Sequence, residues 1–363
     1  MRASWITLAG LVVAIGVAVA GTGGTRPYRL GFTPFPYDVT EEAVLSVKDF
    51  LAENADIVAV HIEGVPWTEA GTGDPWRPAF AEDLARQKAS VPPGAMTYLA
   101  VTPIHILRNG LAAYRGDAEL PVPEPYADKA FDDPIVVSAF TNYVRRMIDE
   151  FQPDRLAVGI EVDLLRNNRP DLWEAYVRLH RAVYDTVKAD HPDLPVFVTL
   201  TVHEMLEPDG RDNEGILADM KTLMPWSDRV ALSYYPFLTS EPKAIRRRLR
   251  RIRDEFAPFG KRLAIAESGH NAEPVDLPGS DIGGSDRGQR KAVKKLLRFA
   301  AKEDLDFVIW FVPRDYDALW AKMSDAFPAW AVAWRDCGLA DENGRERPAL
   351  RLWRKRLKKT LRD

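Results

Sequence analysis

Two glutamates stand at the ends of short apolar runs, Glu161 in LAVGIEVD and Glu267 in LAIAESGH. A pair of carboxylates facing each other across a cleft suits glycoside cleavage. One protonates the leaving oxygen, and the other attacks the anomeric carbon or activates a water as an oxocarbenium-like transition state develops. In a third run, ALSYYPF, two-residue alternation puts Ala231, Ser233 and Tyr235 on one face. A hydroxyl from Tyr235 beside a nucleophilic carboxylate would hold it ionised, and Tyr234 next to it is counted with the binding residues. A fourth run, VIWFVPRDYD, sets Trp310 as the floor of a sugar subsite. Ten Trp, eleven Tyr and fifteen Phe exceed what a core needs. Trp67, Trp76, Phe35, Tyr37 and Tyr316 fall in loops and read together as the wall of a groove.

Four of six histidines, His61, His105, His203 and His270, also fall at or just past strand ends. The chain has no H-E-x-x-H and no H-x-H on its first strand, so the expectation is no metal and no cofactor. His61, His105 and His203 are instead assigned to sugar hydroxyls. Glu63, Asp163, Glu204 and Asp315 read as solvated rim residues. IGGSDRG lacks the lysine and the strand-to-helix setting of a phosphate loop.

The elements that must position these groups alternate. Strand-like runs cover 28–33, 56–62, 95–101, 155–161, 196–201, 229–235, 262–267 and 306–311. Between them lie helical patterns such as EEAVLSVKDFLAENA and RGQRKAVKKLLRFAAKE, with apolar residues three and four apart. Connections from helix to next strand are short, whereas those leaving strands are long and rich in Gly, Pro and aromatics. This is the economy of a single (β/α)₈ barrel, an α/β fold that carries its chemistry at the C-terminal ends of its strands. Only barrel closure brings the fourth-strand Glu161 to the seventh-strand Glu267.

At the N-terminus, Arg2, an apolar run from Trp5 to Val19 and an Ala18-Val19-Ala20 cleavage pattern read as an export signal over residues 1–20, or as an anchor if uncleaved. The barrel is expected over 26–345, and 346–363 as a basic helix packed on it. The protein is expected outside the cytoplasm, touching membrane only through an uncleaved N-terminus. With 49 Lys plus Arg against 53 Asp plus Glu, bulk electrostatic binding of nucleic acid is not expected. One cysteine, Cys337, makes no intramolecular disulfide. The oligomeric state is left open.

The ordered set GFTPFPYD, GIEVD, LSYYPF, AIAESG and VIWFVP, closed by CGLADENGRERPALRLW, resembles the retaining TIM-barrel glycoside hydrolases of clan A. The nearest are uncharacterised relatives of the family 53 endo-β-1,4-galactanases. The resemblance implies a carbohydrate substrate, Glu161 as acid/base, Glu267 as nucleophile, Tyr235 beside the nucleophile and Trp310 in the subsite around the cleaved bond. Two departures stand out. Ile160 occupies the position where the clan carries an Asn that binds the sugar 2-hydroxyl, and VAVHIEG replaces the galactanase R-x-R on the second strand. The first leaves a non-catalytic carbohydrate-binding barrel as the alternative.

Overall fold

The computed structural model describes residues 24–207, 212–239, 243–277 and 280–362. The signal or anchor reading concerns residues that lie outside these ranges. Eight parallel strands form the centre: β1 Arg29–Phe32, β2 Ile57–Ile62, β3 Met96–Val101, β4 Arg155–Ala157, β5 in two pieces (Val196–Phe197 and Thr199–Thr201), β6 Arg229–Tyr234, β7 Arg262–Ser268 and β8 Phe307–Trp310. Each strand pairs with its sequence neighbours, and β8 pairs with β1. The interrupted β5 completes the ring, its first piece on β4 and its second on β6. The sheet is therefore closed, and the (β/α)₈ expectation holds.

Eight helices surround it: α1 Glu41–Asn54, α2 Pro78–Ala89, α3 Pro134–Phe151, α4 Pro170–Asp190, α5 Asn213–Thr222, α6 Ile245–Phe256, α7 Asp286–Lys302 and α8 Pro348–Leu357. Their starts follow local chemistry. Thr40 accepts from the Ala43 amide ahead of Glu41 and Glu42, and Ser285 accepts from Gly288, so side-chain oxygens satisfy amides that lack helical partners. α8 closes the ring: its buried Trp353 packs on Phe32 of β1 and donates to the Asn54 carbonyl at the end of α1. A short ladder between Thr25–Arg26 and Thr360–Leu361 brings the two ends of the described chain together below the barrel.

The lumen is filled by inward side chains, among them Ile57, Tyr98, Phe197, Phe307 and Ile309. The Tyr98 ring lies 5.6 Å from Phe197 and 5.1 Å from Phe307. Burying each such ring stabilises the barrel by about 1.5–3 kcal/mol, and together they make its centre a solid floor for the mouth. Below them Asp306, 4% exposed, receives Arg155 at 2.7 and 2.9 Å and Arg229 at 2.7 Å.

Candidate active site

A local irregularity in β7 aims Glu267. Strands β6 and β7 run in register to Leu232–Ile265, then slip by one so that Ser233 pairs with Glu267. Strict alternation from the lumen residues Ala264 and Ala266 would turn Glu267 outward. The extra residue rotates it to the mouth, as bulges do beside functional sites. Glu161 reaches the same place by a different device. The ladder of β4 ends at Ala157, and the chain continues past Gly159, where a Cβ would stand 2.3 Å from the Tyr176 hydroxyl. Glu161 itself has φ 50° and ψ 53°, a left-handed conformation costing a non-glycine residue about 1–3 kcal/mol and concentrated at functional positions. Its amide donates to Thr199 Oγ1 at 2.8 Å, and its carboxylate accepts from Ser233. One serine thus stands between the two glutamates.

The cation of the site is Arg108, 7% exposed, in the loop after β3 and also left-handed at φ 54°. A tight turn makes it so: the Arg108 amide donates to His105 and the His105 amide to Gly110. Its guanidinium lies 3.4 Å from Glu63 and 3.5 Å from Glu161. Two carboxylates therefore share one buried cation, and Glu267 adds its charge to the same group. Burial raises Glu161, while Arg108 and Ser233 pull it partly back. Burial, followed by the charge of Glu161, pushes Glu267 up to about 8, against the pull of the Tyr235 hydroxyl and Arg108. Both carboxyls are thus shifted toward the protonated form, Glu267 to about 8.

Around the pair, rings touch in sequence from surface to lumen. Exposed Trp330 meets Trp334, Trp334 meets Tyr235 at 5.3 Å, Tyr235 meets Phe311 at 6.0 Å, and Phe311 meets both Phe35 and Tyr316 at 6.0 Å. Phe35 continues to His61, and His61 to Tyr98. His61 is driven down to about 4 by burial and then by Arg108, so it is a neutral donor–acceptor. Among the described residues the buried His61 Nε2 and Tyr98 hydroxyl make no hydrogen bond, whereas the Tyr235 hydroxyl stands against Glu267.

Several expected binding residues lie elsewhere. Trp310 points outward to the helix layer and donates to the Cys337 carbonyl at 2.7 Å. Strand alternation, counted from the inward Phe307 and Ile309, gives the mouth Phe311 instead. Tyr234 faces outward for the same reason. Trp67 is wholly buried, bonded to the Ala112 carbonyl and packed on Tyr126 and Phe140. Trp76 and Tyr37 are each covered by an arginine, Arg146 and Arg314. His105 accepts from the Leu107 amide, holding the Arg108 turn, and His203 pairs with Glu204 at 3.6 Å. Nor are the rim acids all solvated. Asp163, Glu204 and Asp315 are buried, Asp163 taking the Thr201 amide and hydroxyl and Asp315 the Gly338 amide and Arg347.

The described carboxylates that converge as ion ligands would are Asp315 with Asp317 and Asp336, or with Glu273 and Glu342. Arg347 and Arg335 already balance them, and no histidine joins either group among the described residues. The sequence reading missed Arg108, Ser233 as partner of Glu161, Phe311 and Trp334. Arg108 carried one visible signal, a cation just before the Asn109-Gly110 turn in a long loop on the mouth side.

No family model matches the chain, and no curated protein does. Solved structures do. A fungal β-1,4-galactanase superposes with a TM-score of 0.58 at 14% identity, covering 90% of this chain and 94% of its own. The GH53 catalytic domain of Ignisphaera aggregans gives 0.52 at 17%, covering 93% and 92%. GH5_18 from Streptomyces cattleya, in complex with GlcNAc, gives 0.61 at 16%, covering 93% and 83%. The fold is that of the clan A glycoside hydrolases. At these identities the likeness is one of fold.

Proposed function

We propose that the protein is an exported retaining glycoside hydrolase that cleaves O-glycosidic bonds of a polysaccharide or oligosaccharide without a metal. The observation that carries this reading is the Glu161–Glu267 pair, flanking Ser233 at the barrel mouth under an arc of rings. Sugar C–H faces stack on such rings, and His61 and Tyr98 offer polar atoms to the hydroxyls. Glu267 attacks the anomeric carbon as Glu161 gives its proton to the departing oxygen. Glu161 then takes a proton from water, and the resulting hydroxide releases the sugar from Glu267.

The roles require a proton on Glu161 and none on Glu267 when substrate is bound. In the free site Arg108 is the foremost pull toward charge on Glu161 and a lesser one on Glu267, which stands at about 8. A sugar that draws Arg108 away from Glu161 reverses that balance, so binding itself sets the acid and the nucleophile. Ile160 is buried in the lumen wall and brings no donor to a 2-hydroxyl, which leaves that task to the side chains just named.

The test is hydrolysis of a panel of aryl glycosides and polysaccharides, with the first-formed anomer read by NMR. The reading predicts turnover with retained configuration, insensitive to chelator. Inverted product would replace the nucleophile by a water, and activity lost to chelator would remove the metal-free mechanism.

A further inference from the structure

The charge of this chain is unevenly placed. Residues 1–242 hold 21 Lys plus Arg against 35 Asp plus Glu, and residues 243–363 hold 28 against 18. The excess of cations lies on three adjacent helices, α6, α7 and α8, with α7 packed between the other two. Their sequences, IRRRLRRIRDEF, DRGQRKAVKKLLRFAAK and PALRLWRKRL, bury an apolar stripe together with Arg248 and leave most of their other basic residues at the surface. Ion pairs of this face include Lys221–Glu255, Arg248–Glu207, Arg253–Glu303 and Arg354–Glu346. Among the described residues, Arg250 and Arg251, Arg290 and Lys294, and Arg351 and Lys355 line its grooves and pair with no carboxylate. Two grooves run along the face, of about 710 Å³ between α6 and α7 and about 680 Å³ between α7 and α8, each lined mainly by Arg and Lys, with Asp254 and Glu255 at the first. Such a density of like charge is self-repulsive. An anionic partner relieves it.

A second, independent observation says what that partner is. Thr25–Arg26 pairs with Thr360–Leu361 just beyond α8, and a Cβ on Gly24 would lie 3.3 Å from Lys359 Nζ. The sequence that leads into Gly24 contains the apolar run Trp5–Val19. The strongest apolar segment of the chain thus joins the barrel at the edge of its most basic face. An apolar segment beside a polybasic patch is the two-part arrangement that holds proteins on acidic bilayers.

We infer that the α6–α8 face docks on an anionic phospholipid surface. This does not depend on the glycosidase reading, because the face lies on the helix layer and the carboxylate pair at the mouth. Each Lys or Arg near an acidic surface adds roughly a fivefold gain in partitioning, and the gain fades within a Debye length.

The experiment is sedimentation of the full chain with vesicles of phosphatidylcholine, alone or with about 30% phosphatidylglycerol. The apolar segment contributes to both, so the readout is the phosphatidylglycerol-dependent increment and its loss in salt. The quadruple variant Arg250→Gln, Arg290→Gln, Arg351→Gln, Lys355→Gln should lower that increment by roughly 600-fold. A control, Arg86→Gln, Lys88→Gln, Arg145→Gln, Arg178→Gln, changes exposed cations on α2, α3 and α4 and should keep it. Equal binding to both vesicles at low salt, or equal loss in both variants while their circular dichroism stays native, overturns the proposal. Tighter binding to duplex DNA than to the acidic vesicles, at matched phosphate, would reassign the face to nucleic acid.

Discussion

The two ends of this barrel are built from the same materials and do opposite things. At the bottom, Asp306 sits among Arg155 and Arg229 at 2.7–2.9 Å. Burial alone would raise its carboxyl, but the hydrogen bonds and charges of the two arginines bring it down to about 2. At the mouth, Arg108 meets Glu63 and Glu161 at 3.4–3.5 Å, and Glu267 climbs to about 8. One carboxylate between arginines is a lock; carboxylates that outnumber their one arginine are a site poised to take up a proton. The mouth also holds the left-handed Glu161 and Arg108 and, among the described residues, the unsatisfied His61 and Tyr98 atoms. Strain and unmet polar groups collect where a ligand meets them, and compensated charge collects where only stability is needed.

That contrast can be broken at either end. Asp306→Asn leaves the half-buried Arg155 and Arg229 without their anion and should cost about 2–3 kcal/mol of stability, read by denaturant unfolding, with kcat/KM at permissive temperature unchanged. A matching loss of activity would mean that the bottom lock also shapes the mouth. Arg108→Met should lower kcat/KM by about 10- to 100-fold. Because Arg108 favours the ionised pair, its removal should also move the alkaline limb of the pH profile upward. An unmoved limb would place Arg108 outside the proton balance. The smallest effect is on stability. Glu267 takes up a proton on folding between its ordinary carboxyl range near 4.5 and about 8, so the folded state loses stability as pH rises through that window. Glu267→Gln should therefore melt ~3 °C higher than wild type at pH 8.5 and the same at pH 4. Asp306 has the opposite sign, stabilising above about pH 4 and losing its contribution as pH falls toward 2.

The eight strands were legible because alternating apolar runs and short helix-to-strand connections constrain a (β/α)₈ barrel tightly. The glutamates at two strand ends were visible for the same reason. What alternation could not show was where it fails: the slip at Ser233–Glu267 that turns Glu267 inward, and the turn at Glu161. Trp310, Tyr234 and Trp67 misled because a tryptophan or tyrosine near a strand end reads equally as groove or core, and here the outward parity of Trp310 and Tyr234 and the packing of Trp67 decided for core. Arg108 depends on a loop conformation set by three backbone and ring contacts, which spacing alone does not encode.

The central claim is that Glu267 forms the glycosyl bond and Glu161 moves the proton. Azide rescue tests it most directly, using the aryl glycoside that wild type turns over fastest. Glu267→Gly with azide should yield the glycosyl azide of inverted configuration, azide having entered where the carboxylate stood. Glu161→Gly with azide should yield the retained azide, formed from the intact glycosyl-enzyme. The converse pattern would exchange the two roles, and wild-type turnover by either variant without azide would contradict the account.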